Sequence, residues 1–196
     1  MNKPTNITLP PSKEEAMHAV KTLLDWAGDD HTRLGLQDTP LRVVEAYREW
    51  FSGYLESPKE YLARTFDDVD GYQDIVLVKD IPFTSFCEHH LAPIIGTAHV
   101  AYLPSDRVVG LSKLARLVRT FARRLQVQER MTAQIASTLQ DVLNPEGVAV
   151  LIKAEHHCMS TRGVHVHGTE TITTEMTGTF RDDPATRDHF FKLLNH

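Results

Sequence analysis

Residues 74–103 read DIVLVKDIPFTSFCEHHLAPIIGTAHVAYL, and they carry the strongest structural pattern in the chain. Strand-forming residues run from Ile75 to Phe86 and again from Ala92 to Leu103, on either side of a short polar segment. This pattern predicts two strands joined near residues 87–93 and paired antiparallel. A cluster of polar, metal-binding residue types lies at the join.

Helical periodicity lies on both sides of this strand pair, and a second strand pair follows it. Ser12 and Glu15 have the spacing of a capping box, and the residues up to Pro11 are expected to form a loose arm because three of them are proline. Paired strands interleaved with paired helices indicate an α+β fold with an antiparallel sheet. Helices are predicted over residues 12–28, 39–53, 110–125 and 128–143 and from Pro184 onward, and the second strand pair over 148–158 and 169–180.

The composition is that of an ordinary globular protein. Of 196 residues, 41% are hydrophobic and 24% are charged, which excludes a disordered or collagen-like chain. No apolar run approaches the ~18 residues that cross a bilayer, and the first residues lack the apolar core of a signal peptide, so we expect a cytoplasmic protein. The net charge of −5 disfavours general binding to nucleic acids or anionic membranes. A polyanionic small molecule would need a local basic patch.

Both cysteines of the chain lie beside histidines. The segment 87–90 is Cys-Glu-His-His, and Cys-x-x-His is a spacing at which both side chains can reach one zinc ion. The segment 155–158 is Glu-His-His-Cys. If it is a strand, alternation places His156 and Cys158 on one face and His157 on the other. The predicted metal ligands are Cys87, His90 and Cys158, with His89 and His156 beside the metal.

The predicted site leaves several chemistries open. Three protein ligands and a water are typical of a catalytic zinc, whereas a fourth side chain would make the site structural. Iron is an alternative metal. In a reducing compartment, a lone pair of cysteines indicates a metal or catalytic site rather than a structural disulfide. His165 and His167 alternate on a predicted strand face and are interpreted as surface or interface residues.

Cationic residues downstream predict an anion site. Lys113 and Arg116 are three apart on a predicted helix, so both can face one anion near Ser112 and the free amides of the helix start. The alternative is a solvated basic face of an amphipathic helix. Arg162 adds a cation next to the predicted metal site, and Arg42 is a further candidate early in the second helix.

The segment 126–130, Gln-Val-Gln-Glu-Arg, lies between two predicted helices. A carboxylate such as Glu129 can accept two hydrogen bonds from the N1 and 2-amino groups of guanine. The alternative is that Glu129 is a first-turn residue favoured by the helix dipole.

Taken in order, these motifs resemble the GTP cyclohydrolase I family from Asp38 to the C-terminal helix. The resemblance implies a tunnelling fold, which is an antiparallel sheet with helices on one face whose strands join across subunits into a barrel. It also implies a homodecamer with active sites between subunits. The implied division of the chain is an N-terminal arm and helix over 1–37 and a catalytic domain over 38–196. The motifs that carry the resemblance are Cys87-Glu88-His89-His90, Gly110-Leu111-Ser112-Lys113, Gln126 to Arg130, His156-His157-Cys158 and Arg162-Gly163.

The same resemblance implies roles for individual residues. A cluster of four cations in one interface pocket would hold a triphosphate whatever the global charge of the chain. The implied roles are zinc ligation by Cys87, His90 and Cys158, catalysis by His89 and His156, guanine recognition by Gln128 and Glu129, and triphosphate binding by Ser112, Lys113, Arg116 and Arg162, with Arg42 from a neighbouring subunit.

The implied reaction is the zinc-dependent hydrolysis and rearrangement of GTP to formate and 7,8-dihydroneopterin triphosphate, the first step of tetrahydrofolate and pterin biosynthesis. Two alternatives remain: a zinc hydrolase that opens the guanine ring but releases another product, and a structural zinc site in an oligomeric nucleotide-binding regulatory module. A zinc nucleobase deaminase is disfavoured because its signature needs a Cys-x-x-Cys pair. His157 and the stretch 165–167 depart from the family pattern, and no role is assigned to them.

Overall fold

The computed structural model of the chain describes residues 10–66, 72–105 and 107–195. Most of the predicted N-terminal arm, residues 1–9, lies outside the described residues. The helices are α1 (Lys13–Trp26), α2 (Thr39–Trp50), a 3-10 helix (Ser52–Leu55), α3 (Pro58–Leu62), α4 (Leu111–Ala122), α5 (Gln128–Leu143), α6 (His157–Ser160), α7 (Thr179–Asp182) and α8 (Pro184–Leu194). The strands are β1 (Thr65–Phe66), β2 (Val76–Cys87), β3 (Pro93–Leu103), β4 (Val108–Val109), β5 (Leu125–Gln126), β6 (Gly147–His156) and β7 (Glu170–Gly178).

The chain divides into two compact units, one up to Trp50 and one from Phe51. In the first unit, Ser12 and Glu15 form the predicted capping box at the start of α1. An ion pair between Lys13 and Glu45 joins α1 to α2. The division of the chain at residues 37 and 38 stays a prediction.

The second unit contains a five-stranded sheet in the order β5-β2-β3-β6-β7. The strands β2, β3, β6 and β7 pair antiparallel, so both predicted strand pairs are present and join into one sheet. The two-residue strand β5 pairs parallel to the end of β2, which makes the sheet mixed rather than purely antiparallel. The class is α+β, as predicted.

Helices cover both faces of this sheet, and the prediction of helices on one face is wrong. Alternate residues of a strand point to opposite faces, and Val100 and Val150 belong to the main core with Leu117 of α4 and Ile135 of α5. The other face is covered at one end by α7 and α8. That second cluster contains Ile75, Ala101, Ala149, Leu151, Phe180 and Phe190. The physical reason is that β3 and β6 are apolar on both faces, so each face needs a cover.

Among the described helices, none is both long and apolar enough to cross a membrane.

The second cluster generates a stability prediction. Phe190 is fully buried and stacks edge-on against Phe180 at 5.8 Å between ring centroids. We expect Phe190→Ala to lower the free energy of unfolding by about 3–5 kcal/mol, because it removes a buried ring and leaves a cavity. Urea denaturation at fixed protein concentration measures this loss.

The neighbouring Phe191 provides a matched control, since 37% of its surface is exposed. Phe191→Ala is expected to cost much less than Phe190→Ala. Equal losses in the two variants would contradict the assignment of Phe190 to the second core cluster.

Candidate metal centre

The backbone brings the two Cys/His segments to the same end of the sheet. Cys87 is the last residue of β2, and β3 begins six residues later at Pro93. His156, the last residue of β6, pairs with Ile94 near the start of β3. Two segments far apart in sequence therefore meet because the three strands are antiparallel.

Three potential ligands come together at this end of the sheet. The ligand atoms of Cys87, His90 and Cys158 all lie within 4.8 Å of one another. The Sγ atom of Cys87 is 3.9 Å from Nδ1 of His90, and the Cys87 side chain is buried. Two thiolates and an imidazole are a donor set that suits zinc. Among the described residues, this is the only such group of three or more metal-binding side chains.

Cys158 reaches this group from a helical turn and not from a strand, so the predicted strand over residues 148–158 is too long. The strand β6 ends at His156, and α6 begins at His157. The amide and hydroxyl of Thr161 both donate to the carbonyl oxygen of His157, which closes the turn. The face alternation used to place His157 therefore does not apply beyond His156.

The stretch with His165 and His167 is not a strand either. It forms an exposed loop before β7, and neither histidine joins the Cys87 group. His165 has a φ of 51°, which interrupts any extended pairing. Exposure of both side chains fits the interpretation of them as surface residues.

His156 is held by a network from the start of α5. Its Nε2 is 2.7 Å from the side-chain oxygen of Gln128, which is buried. The Gln128 amide nitrogen donates to the carbonyl oxygens of Thr171 (3.0 Å) and Ile152 (3.3 Å) and to the hydroxyl of Thr173 (3.1 Å). The amide nitrogen therefore faces β6 and β7, and only the oxygen can face His156.

This network determines where His156 carries its proton. A carboxamide oxygen only accepts hydrogen bonds, so Nε2 is the protonated nitrogen and Nδ1 keeps its lone pair. Burial lowers the pKa of His156, and the Glu129 carboxylate opposes that shift by attraction. His156 is therefore neutral near pH 7, and Nδ1 is the atom that takes up a proton.

Other predicted residues surround the same group. Arg162 approaches His90, with a terminal guanidinium nitrogen 2.8 Å from Nε2. The Nδ1 atom of His89 lies 3.8 Å from the Sγ atom of Cys87, and the His89 side chain is 64% exposed. The structure thus brings His89 and Arg162 to the Cys87 group, while His156 ends the strand that leads to Cys158.

The sequence did not predict the ion pair that joins the turn between β2 and β3 to α5. Glu88 pairs with Arg130, whose hydrogen bond lowers the pKa of the Glu88 carboxyl. Both residues stand inside quoted motifs, at positions 88 and 130, and their opposite charges were the signal that could have linked the two motifs.

Two of the predicted anion residues, Lys113 and Arg116, lie elsewhere on the second unit. Lys113 donates a hydrogen bond to the carbonyl oxygen of Arg64. The Nε atom of Arg116 lies 3.3 Å from a Glu56 carboxylate oxygen, and its guanidinium is 4.4 Å from the centre of the Tyr61 ring. These contacts surround a cavity of about 310 Å³. Its lining residues are Leu55, Glu56, Ser57, Glu60, Tyr61, Arg64 and Arg116.

Two predicted binding residues stand outside both groups. Ser112 is an exposed residue in the first turn of α4. Arg42 lies on α2 in the first unit and pairs with Asp38 at 3.1 Å. Their predicted contacts with a triphosphate stay predictions.

Comparison with known proteins places the whole arrangement in one family. The profile of GTP cyclohydrolase I matches residues 16–195. The chain belongs to the GTP cyclohydrolase I family. This confirms the resemblance found in the sequence. The matched region includes Cys87, His90 and Cys158.

Individual relatives agree with the family match. The chain is 58% identical to a protein named GTP cyclohydrolase 1 from Maricaulis maris (strain MCS10), over 96% of this chain and 92% of the relative. It is also 58% identical to a protein of that name from Sinorhizobium fredii (strain NBRC 101917 / NGR234), over 94% of this chain and 90% of the relative. Among solved structures, the archaeosine synthase QueF-Like in the apo form aligns with a TM-score of 0.46 and 18% identity, over 55% of this chain and 96% of that chain.

The ligand group predicts metal binding that depends on Cys87. We expect Cys87→Ala to lose bound zinc, because two ligands remain where three are needed to hold the ion. Metal content after dialysis, measured by inductively coupled plasma mass spectrometry, tests this. His157→Ala is the matched control, because His157 is adjacent to a ligand but outside the group, and it should keep its zinc. Full zinc occupancy in Cys87→Ala would overturn the ligand assignment.

Proposed function

We propose that this chain catalyses the reaction of its family, the hydrolysis and rearrangement of GTP to formate and 7,8-dihydroneopterin triphosphate, with zinc as cofactor. The observation that carries the proposal is the Cys87, His90 and Cys158 group, whose ligand atoms lie within 4.8 Å of one another. The half-buried His156, two residues before Cys158, supplies a base. The relatives named GTP cyclohydrolase 1 support the same activity.

The roles of the residues near the metal follow from the contacts described above. When bound, zinc supplies a Lewis acid that makes water a nucleophile near neutral pH. His156 takes up at Nδ1 the proton that the attacking water releases, and it donates this proton to N7 as C8 of the guanine ring is attacked. Its Nε2 keeps its own proton and donates it in the hydrogen bond to the Gln128 oxygen, which fixes the orientation of the ring. His89, which is more exposed, assists proton transfer at the water or at the ribose ring oxygen.

Recognition of guanine falls to Glu129 in this proposal. Its carboxylate is close enough to His156 to influence the pKa of that imidazole. A carboxylate can accept hydrogen bonds from both N1 and the 2-amino group of guanine. The side chain of Gln128 contributes indirectly, because its amide oxygen and nitrogen are engaged by His156 and by β6 and β7.

The triphosphate is bound by Lys113, Arg116, Ser112 and Arg162, with Arg42 from a neighbouring subunit. Binding energy at this remote end holds the changing intermediate against the metal. We place the complete site between subunits of a homodecamer. In support, Lys113 contacts Arg64, and Arg116 contacts Glu56 and Tyr61; these three partners are not members of the metal group.

A barrel built from the strands of several subunits, as in the tunnelling fold, is consistent with β7 forming an edge of the sheet. Within the described residues, β7 pairs with β6 on one side only. An unpaired edge is a template for a strand from another chain. We also propose that the protein is cytoplasmic and binds GTP, and that it has no nucleic acid or membrane partner.

The role of His156 predicts a variant that separates metal binding from chemistry. We expect His156→Ala to keep zinc, because His156 is outside the ligand group, but to release formate from GTP at least about 100-fold more slowly, because the proton-transfer group is missing. Formate is measured enzymatically, and zinc is measured on the same sample. His167→Ala, in the exposed loop, is the control and should behave like the parent protein. Normal formate release from His156→Ala would remove its role.

A site built from two subunits predicts complementation between inactive variants. Cys87→Ala removes the metal half and Lys113→Ala weakens the triphosphate half. If the two are co-expressed with different tags and mixed oligomers are purified, random assembly restores both halves in about a quarter of the sites. Formate release should then rise well above the sum of the separate variants. Activity equal to that sum would show that each subunit holds a complete site.

A further inference from the structure

A carboxylate lies inside the predicted triphosphate pocket, where a negative charge is unexpected. Glu56 lines the cavity beside Arg116, and its Oε2 accepts a hydrogen bond from the Arg116 Nε at 3.3 Å. Glu56 repels phosphate by its charge, so its presence needs another reason. Stability is a weak one, because the Arg116 side chain is 47% exposed and exposed ion pairs contribute little.

The Glu56 carboxylate is itself held in place by a second donor on α4, which a residue of α3 supports in turn. Thr120, buried one helical turn after Arg116, donates to the same Oε2 at 2.9 Å. The hydroxyl of Tyr61 donates to Thr120 at 3.1 Å, and the Tyr61 ring lies under the Arg116 guanidinium at 4.4 Å. Carboxylate, hydroxyl and ring therefore form one connected support for Arg116.

The backbone that carries Glu56 is anchored to the same helix end. The guanidinium of Arg124 donates to the carbonyl oxygens of Gly53 (3.0 Å) and Glu56 (3.3 Å). A Cβ atom at Gly53 would lie 2.1 Å from the Thr120 carbonyl oxygen, so only glycine allows the 3-10 helix to approach α4 this closely. Glu56 is thus fixed relative to α4 through both its backbone and its side chain.

This support leaves one edge of the Arg116 guanidinium available. Its Nε edge faces Glu56 and one of its faces covers Tyr61. Over the described ranges 10–66, 72–105 and 107–195, its terminal NH1 and NH2 groups have no hydrogen-bond partner. Two parallel N–H groups are the arrangement with which arginine contacts a phosphate at two points. Lys113, one turn earlier on α4, belongs to the same region through its bond to the Arg64 carbonyl.

We propose that Glu56 is a positioning residue for the substrate's triphosphate: it fixes Arg116 so that NH1 and NH2 face the phosphate. The inference rests on the proposed function, since it takes Arg116 as a triphosphate contact. Glu56 contributes by removing side-chain motion that phosphate binding would otherwise have to restrict. The sign of its effect separates this role from a simple countercharge, because removal of a countercharge would tighten phosphate binding.

The test compares two substitutions of Glu56. Glu56→Ala should raise the KM for GTP about three- to tenfold with kcat nearly unchanged, because one immobilised side chain becomes free. Glu56→Gln keeps an oxygen that can accept from both Arg116 and Thr120, so it should restore a KM near or below that of the parent protein. Glu60→Ala is the matched control, since it removes a negative charge from the same cavity without contacting Arg116 in the described structure.

Two further measurements test whether the effect of Glu56 depends on Arg116 and whether it acts on phosphate binding. In an Arg116→Ala background, Glu56→Ala should have no additional effect on KM. Calorimetric titration with inorganic triphosphate should show the same three- to tenfold weakening in Glu56→Ala. Thr120→Val, which removes a hydroxyl donor at nearly constant volume, gives a second variant with the same expected direction.

Several outcomes would overturn the proposal. They are a lower or unchanged KM in Glu56→Ala, failure of Glu56→Gln to restore the KM, and an undiminished effect in the Arg116→Ala background. If the parent protein releases no formate from GTP, the proposed function fails, and the titration with inorganic triphosphate still decides the role of Glu56. If the parent protein turns over GTP but Glu56→Ala matches Glu60→Ala, only the role of Glu56 is lost.

Discussion

The antiparallel register of β2, β3 and β6 is the constraint on which the site depends. Phe86 pairs with Pro93 next to the β2–β3 turn, and Ile94 pairs with His156 at the end of β6. The turn that carries His90 and the segment that carries Cys158 therefore lie at the same end of the sheet. A slip of one residue would send every strand side chain to the other face, disrupting the packing of both core clusters and separating the ligands. The burial of the paired strands thus brings the ligand residues together.

Buried polar groups specify the site more finely than the register alone. Gln128 is buried and must satisfy its amide, and it does so with three acceptors on β6 and β7 and one donor, His156. An imidazole held in this way has one tautomer and one orientation, which a proton-transfer group requires. The basic side of α4 is arranged by the same means, since Thr120 and Tyr61 fix a carboxylate that in turn orients Arg116. In both places, a side chain that we propose to face the substrate is supported by one that does not.

Much of this arrangement could be predicted from periodicity and residue type. The helix α5, the capping box of α1 and the strands β2 and β3 follow from local patterns, and thiols beside imidazoles indicate a metal whatever the fold. The end of β6 could not be predicted, because the turn at His157 is closed by hydrogen bonds from Thr161 that the alternation of side chains does not reveal. The packing of α7 and α8 on the second face could not be predicted, because apolar strands do not show which helix packs on which side. The pairing of Glu56 with Arg116 joins residues sixty positions apart and leaves no local pattern.

The central claim is that the metal group and the triphosphate pocket together carry out a complete conversion of GTP. The most direct measurement incubates protein of known zinc content with GTP and follows formate together with the fluorescence of the oxidised pterin. The account predicts formate and pterin in equal amounts, both lost on chelation and both restored by zinc. Formate without pterin would show that the chain opens the guanine ring but does not complete the rearrangement. Neither product from fully zinc-loaded protein would contradict the account and indicate a structural or regulatory site.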